Sequence, residues 1–280
     1  MSFEIAVGSA DDVQRMASWA NDEGWNPGRT DAHAFFATDP AAFLIGRLHG
    51  EPQACISVVK YGAGFGFLGF YIARPTVRGK GYGIQVWKAG MARLAGRNVG
   101  LDGVVAQQGN YRKSGFRLAW NNIRHEGPPP SGKPPAGVTF VDARSIGFDR
   151  LAAYDRRFFP EARDSFLASW ISLPDRASLV ALRDGAIVGF AVMRACAAAS
   201  RIGPLYGATP EIASALVGAL ATTLGATAVA IDVPDRNKPA VKLVEQIGLK
   251  PSFETARMYT GADPDVDYAG LFGVTSLELG

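Results

Sequence analysis

Two cysteines and three histidines in 280 residues leave this chain little with which to build a metal centre or a disulfide framework. Cys55 and Cys196 each lie inside an apolar, strand-like run with no ligand partner at metal spacing, and His33, His49 and His125 are scattered. Buried thiols in a reducing compartment are expected, and no metal. An excess of one charge is also missing. A formal net charge of +3 is too small to draw a chain of this length to nucleic acid or to a membrane surface, so any basic feature must be local. Met1-Ser2-Phe3-Glu4-Ile5 lacks the basic stretch and apolar core of a signal peptide, which makes the cytoplasm the expected location. The charge-free stretch 213–231 has the length of a membrane span, but it is rich in Ala, Thr and Gly and is broken by Gly225. Ile212, Leu216, Ala219, Leu220, Thr223 and Leu224 fall on one helical face, and Val229 and Ile231 alternate. A buried helix followed by a central strand is the reading.

Glycine, in contrast, is plentiful and well placed. Ile72-Ala73-Arg74-Pro75-Thr76-Val77-Arg78-Gly79-Lys80-Gly81-Tyr82-Gly83 reads as a strand, a tight turn and a helix start. Glycines let backbone N–H groups close on phosphate oxygens, the helix adds unpaired donors and the positive end of its dipole, and Arg78 and Lys80 add charge. The expected ligand is a nucleotide-like anion. A dinucleotide fingerprint would need Gly-x-Gly-x-x-Gly at a first strand, whereas these glycines are spaced two and two after several strand-like segments. Written as Arg78-x-x-Gly81-x-Gly83, the segment resembles the coenzyme A pyrophosphate loop of the GNAT superfamily of acyl-CoA N-acyltransferases.

The Pro- and Gly-rich segment 128–137 reads as a semi-rigid linker between domains 1–127 and 138–280. Its Gly127 to Lys133 spacing mimics a P-loop, but prolines remove the N–H groups that would hold phosphate, and Pro134 stands where magnesium needs Ser or Thr. Periodicity gives the order β-α-α-β-β-β-α-β-α-β before the linker and a similar order after it. That order resembles two tandem GNAT folds, an α+β architecture with a mostly antiparallel sheet flanked by helices. After Pro75 comes the phosphate loop, whereas Pro210 leads straight into a helix, so only the first domain is expected to seat coenzyme.

Acyl transfer sets chemical demands. An amine of pKa near 10.4 is neutral in about one molecule in 2,500 at pH 7, a handicap of roughly 4.6 kcal/mol, so a base or water chain must take its proton. The acyl oxygen needs N–H donors, and the departing thiolate needs a proton. Tyr111-Arg112-Lys113-Ser114-Gly115-Phe116 resembles the family's Tyr-x-x-x-Gly-Phe element, which makes Tyr111 the expected acid; Val244 stands at that position in the second domain. By the same resemblance Tyr71, Ile72 and Ala73 face pantetheine, with Gly69 a plausible bulge, and Arg78, Gly79, Lys80, Gly81, Tyr82, Gly83 and Asn110 bind coenzyme. Glu23, Trp25, Asn26, Asp31 and Asp102 border the acceptor side, and the base is left open among Glu23, Asp31 and Asp102. The expectation is an acetyl-CoA-dependent N-acetyltransferase acting on a small-molecule or peptide amine, with a longer acyl donor and a homodimer left open. The alternative is a non-catalytic acyl-CoA sensor.

Overall fold

The computed structural model describes residues 3–280. The first half runs β1 (Phe3–Val7), α1 (Ala10–Asp22), α2 (Asp31–Thr38), β2 (Phe43–Leu48), β3 (Glu51–Tyr61), β4 (Phe65–Ala73), α3 (Tyr82–Arg93), β5 (Asn98–Val104), α4 (Gln108–Lys113) and β6 (Arg117–Gly127). The second runs β7 (Thr139–Asp142), α5 (Phe148–Asp155), α6 (Asp164–Ser172), β8 (Arg176–Arg183), β9 (Ala186–Arg194), β10 (Ser200–Gly207), α7 (Pro210–Leu224), β11 (Val229–Pro234), α8 (Lys238–Gln246), β12 (Lys250–Tyr259) and β13 (Leu271–Gly273). Local chemistry sets many of these ends. Ser9 and Asp12 form a capping box at α1, while Thr209 caps α7 ahead of Pro210 and a left-handed Gly225 ends it.

The strands form one sheet in the order β1-β2-β3-β4-β5-β12-β6-β11-β10-β9-β8-β7, with β13 attached to β10. Pairing is antiparallel except between β4 and β5 and between β10 and β11. The two halves exchange their final long strands: β12 pairs with β5 of the first half, and β6 pairs with β11 of the second. The sheet therefore runs unbroken across both halves. Side chains cross the same boundary, with Phe35 stacked on Trp170 at 5.8 Å and Tyr61 edge-on to Phe159 at 4.8 Å. The linker lies against α7, where a Cβ on Gly218 would come within 2.4 Å of the Pro130 carbonyl.

In α3, Ile84 is 48% exposed, and the helix buries Val86, Trp87 and Gly90. The first turn of α3 borders an opening between β4 and β5, so its apolar side chain there has no sheet to rest on.

Candidate active site

β4 and β5 are paired from Phe65↔Asn98 to Leu68↔Leu101 and then splay apart. On its other side β4 slips register against β3 between Cys55↔Ile72 and Ser57↔Gly69, so Phe70 and Tyr71 oppose a single residue. Phe70 takes a left-handed φ of 46°, unusual for a bulky residue. The expected irregularity is thus real and centred one residue beyond Gly69. Along residues 69–73 the backbone edge facing β5 is left without a strand partner. The wedge opens into a cavity of about 570 Å³.

At one end of the wedge lies the glycine turn. Gly79 and Gly81 hold φ of 75° and 82°, and a Cβ on either would meet nothing within 4 Å, so the turn is set by conformation and leaves open space above it. Gly81 starts α3 without a side-chain cap, leaving the first N–H groups of the helix for an outside acceptor. Arg78 is fixed from two sides: its Nε donates to the Ala73 carbonyl at 2.9 Å, and its Nη2 pairs with Glu23. These features fit the pyrophosphate of an acyl-CoA.

Tyr111 lines the cavity. Its ring stacks on Trp87 at 5.6 Å and lies so close over Gly103 that a Cβ there would come within 2.1 Å of it. The hydroxyl has no hydrogen-bond partner among the described residues. Burial, helped by the neighbouring Tyr71, pushes its pKa up to about 12, so it keeps its proton at any physiological pH.

Of the expected site residues, Glu23, Trp25, Tyr71, Ile72, Ala73, Arg78, Gly79, Gly81, Gly83, Asp102 and Tyr111 line the cavity. Five do not. Asn26 clamps a second-half loop, donating to the Ala199 carbonyl at 2.9 Å and accepting from the Ala198 N–H at 3.1 Å. Asp31 is wholly buried, accepts the Gly28 N–H at 2.9 Å and pairs with Arg176 and Arg194 of the second half, which removes it from the choice of base. Lys80 is exposed on the turn, Tyr82 packs on Phe3 with centroids 4.7 Å apart, and Asn110 donates to Gln107 Oε1 at 2.7 Å outside the wall. Asp102 does line the cavity, but its oxygens accept from Arg257 Nε at 2.8 Å, Arg257 Nη2 at 2.6 Å and Asn122 Nδ2 at 2.8 Å. Because Arg257 and Asp102 face each other across β12 and β5, this carboxylate binds the exchanged strand into place.

None of the expected site residues lies in the second half, yet the second half supplies part of the cavity wall. Phe253 and Thr255 on β12, and Leu277 and Glu278 beyond β13, line the same cavity as Trp25 and Phe70. Residues 271–280 are all buried. Ser57 Oγ donates to the Glu278 carbonyl at 3.4 Å, Tyr61 to the Leu279 carbonyl at 3.0 Å, and Arg163 Nη1 to the Gly280 oxygen at 3.1 Å. The available signal was the run of apolar residues from Leu271 to Leu279, too rich in buried types for a free tail.

Residues 10–116 match the family described as Acetyltransferase (GNAT) family, and residues 151–273 match a second description, Acetyltransferase (GNAT) domain. The chain is 31% identical over 274 residues to holothin acyltransferase of Pseudoalteromonas sp. (strain SANK 73390), covering 97% of this chain and 92% of that one. Among solved structures, a putative acetyltransferase from Pyrococcus horikoshii superposes with a TM-score of 0.82 at 20% identity, covering 99% of this chain and 96% of that one. A tandem GNAT protein from the clavulanic acid biosynthesis pathway superposes at 0.63 and 14% identity, covering 94% and 100%. The chain belongs to the GNAT superfamily and carries two GNAT units in tandem. It is an acyltransferase by family, and its two units share one sheet.

Proposed function

We propose that this protein is an acetyl-CoA-dependent N-acetyltransferase that moves an acetyl group directly to a primary amine within a ternary complex. The observation that carries the reading is the splay between β4 and β5, where an unpaired backbone edge, the glycine turn and the Tyr111 hydroxyl border one cavity. Acetyl-CoA brings the activated acyl group; the rest is the work of this chain. The N–H groups at the start of α3, with Arg78, hold the pyrophosphate, and the edge of residues 70–73 offers backbone groups to the pantetheine arm and the acyl oxygen. Tyr111, neutral to about pH 12, supplies the proton that the sulfur needs.

Small-molecule amines are favoured over peptides. Trp25, Phe253 and Leu277 line the cavity from both halves and leave it bordered by apolar side chains, and a relative covered along 92% of its length is named holothin acyltransferase. We assign the reaction to the cytoplasm, where two buried thiols stay reduced. The test is a panel of small primary amines and short peptides incubated with acetyl-CoA, with thiol release and amide product followed together. At least one small amine should give stoichiometric thiol and amide. Saturable coenzyme binding with no amine-dependent thiol release across the panel would instead identify a non-catalytic acyl-CoA sensor.

A further inference from the structure

Three carboxylates line the cavity: Glu23, Asp102 and Glu278. Glu23 is held by Arg78 at the exposed mouth, and both oxygens of Asp102 are engaged by Arg257 and Asn122. Glu278 differs. It is 2% exposed, its Oε1 accepts one long bond from Arg201 Nη1 at 3.3 Å, and its Oε2 is buried without a partner among the described residues. A buried carboxylate oxygen left unpaired is costly, and it calls for a donor that arrives with a ligand. Thr255, which also lines the cavity, has a buried Oγ1 with no partner among the described residues.

The surroundings of Glu278 are fixed. Arg201 on β10 also donates to Asp232 of β11 at 2.6 Å and reaches toward the Trp25 carbonyl at 3.5 Å, while Arg124 on β6 pairs with the same Asp232 at 2.8 Å. From β3, Ser57 holds the Glu278 carbonyl. From β4, Gly69 lets the segment approach so closely that a Cβ there would come within 2.0 Å of that carbonyl. The carboxylate is thereby placed by both halves of the protein.

We propose that Glu278 is the general base of the transfer, its Oε2 accepting an N–H of the acceptor, with the Thr255 hydroxyl as a second acceptor contact. The proposal rests on the acyl-transfer reading above. The acceptor enters as an ammonium and gives one proton to Glu278, which later releases it to water. The freed lone pair forms the C–N bond as the C–S bond breaks, its electron pair leaving with sulfur. Sulfur takes the Tyr111 proton, and the second proton on nitrogen restores Tyr111 through water. The sum is ammonium plus thioester giving amide, thiol and one proton.

The test compares wild type with Glu278→Gln, which keeps the size and an oxygen acceptor for Arg201. Coenzyme affinity, kcat/KM and its pH profile are measured with an alkylamine, protonated at pH 7, and with an arylamine, already neutral there. Coenzyme affinity should stay within about twofold, kcat/KM for the alkylamine should fall by about 100-fold or more at pH 7, and its pH profile should shift upward to follow the neutral fraction of the amine, climbing toward about pH 10. The loss with the arylamine should stay below about 10-fold, because its proton no longer has to be removed before attack. The ratio between the two acceptors does not depend on how much of the variant is folded, so reduced stability cannot imitate the result. Equal losses with both acceptors, or an unchanged pH profile, would overturn the assignment while leaving acyl transfer intact. A wild type that acylates neither amine, nor any other, would remove the acyl-transfer reading and this proposal with it.

Discussion

Gly69→Ala isolates the packing of residues 274–280 against β4. The backbone at Gly69 is not left-handed, so alanine is conformationally tolerated, and the penalty is steric: its Cβ would lie 2.0 Å from the Glu278 carbonyl oxygen and 2.8 Å from the carbonyl carbon. Both atoms are backbone, so no rotamer change relieves the clash. The segment would have to retreat by about 1.4 Å to reach ordinary contact. That shift strains the bonds from Ser57 and Tyr61, worth about 1 kcal/mol each, and loosens the burial of Leu279, worth about 1.5–3 kcal/mol if lost entirely. The expected destabilisation is about 2–5 kcal/mol. On a chain of this size that lowers Tm by roughly 5–15 °C. Thermal unfolding followed by circular dichroism measures it, and limited proteolysis should show new cleavage near the chain's last ten residues. A variant with wild-type Tm and wild-type protease resistance would refute the claim that this segment is docked on β4.

Tyr111→Phe should lower kcat by about 100-fold or more with coenzyme affinity nearly unchanged, since the ring that stacks on Trp87 is kept; wild-type kcat/KM between pH 6 and 9 would rule out the acid role. Because burial holds the Tyr111 proton to about pH 12, wild-type activity should show no loss from its ionisation below roughly pH 11. Titration calorimetry should find one coenzyme site per chain, and two equivalent sites would contradict the asymmetry of the halves. A truncation ending at Gly127 removes β12 from between β5 and β6 and should give no cooperative unfolding transition; a folded, active fragment would refute the mutual dependence of the halves.

Most elements are legible in the sequence because they are local. The periodicity of 210–224 predicts α7 to the residue, and Gly225 ends it as a left-handed cap. The glycine turn ahead of α3 is equally plain, since Gly79 and Gly81 sit where positive φ is needed. Pairing partners are another matter. Nothing within β6 or β12 says that each bonds to the fifth strand of the other half. Asp31 illustrates the same gap: beside Trp25 and a tight loop it reads as a substrate contact, yet Arg176 and Arg194, which claim it, lie more than 140 residues further on. Glu278 was invisible for the converse reason, being a lone acidic residue in a short apolar run whose destination only tertiary structure reveals.

The asymmetry of the two units follows from where that run goes. The second half also splays, since β10 and β11 pair only from Ser200↔Val229 to Ile202↔Ile231. There the chain fills its own opening. β13 pairs with β10 through Leu205↔Gly273 and Tyr206↔Leu271, and the Val274 N–H donates to the Asp232 carbonyl of β11 at 3.0 Å. A backbone edge that could meet a pantetheine arm is thus satisfied by protein, and Pro210 enters α7 with no glycine turn before it. The same segment then crosses into the first half and brings Leu277 and Glu278 to the cavity beside β4. Closing the second opening and completing the first are therefore one structural event. The second unit loses its open backbone edge in the arrangement that delivers its residues to the cavity of the first.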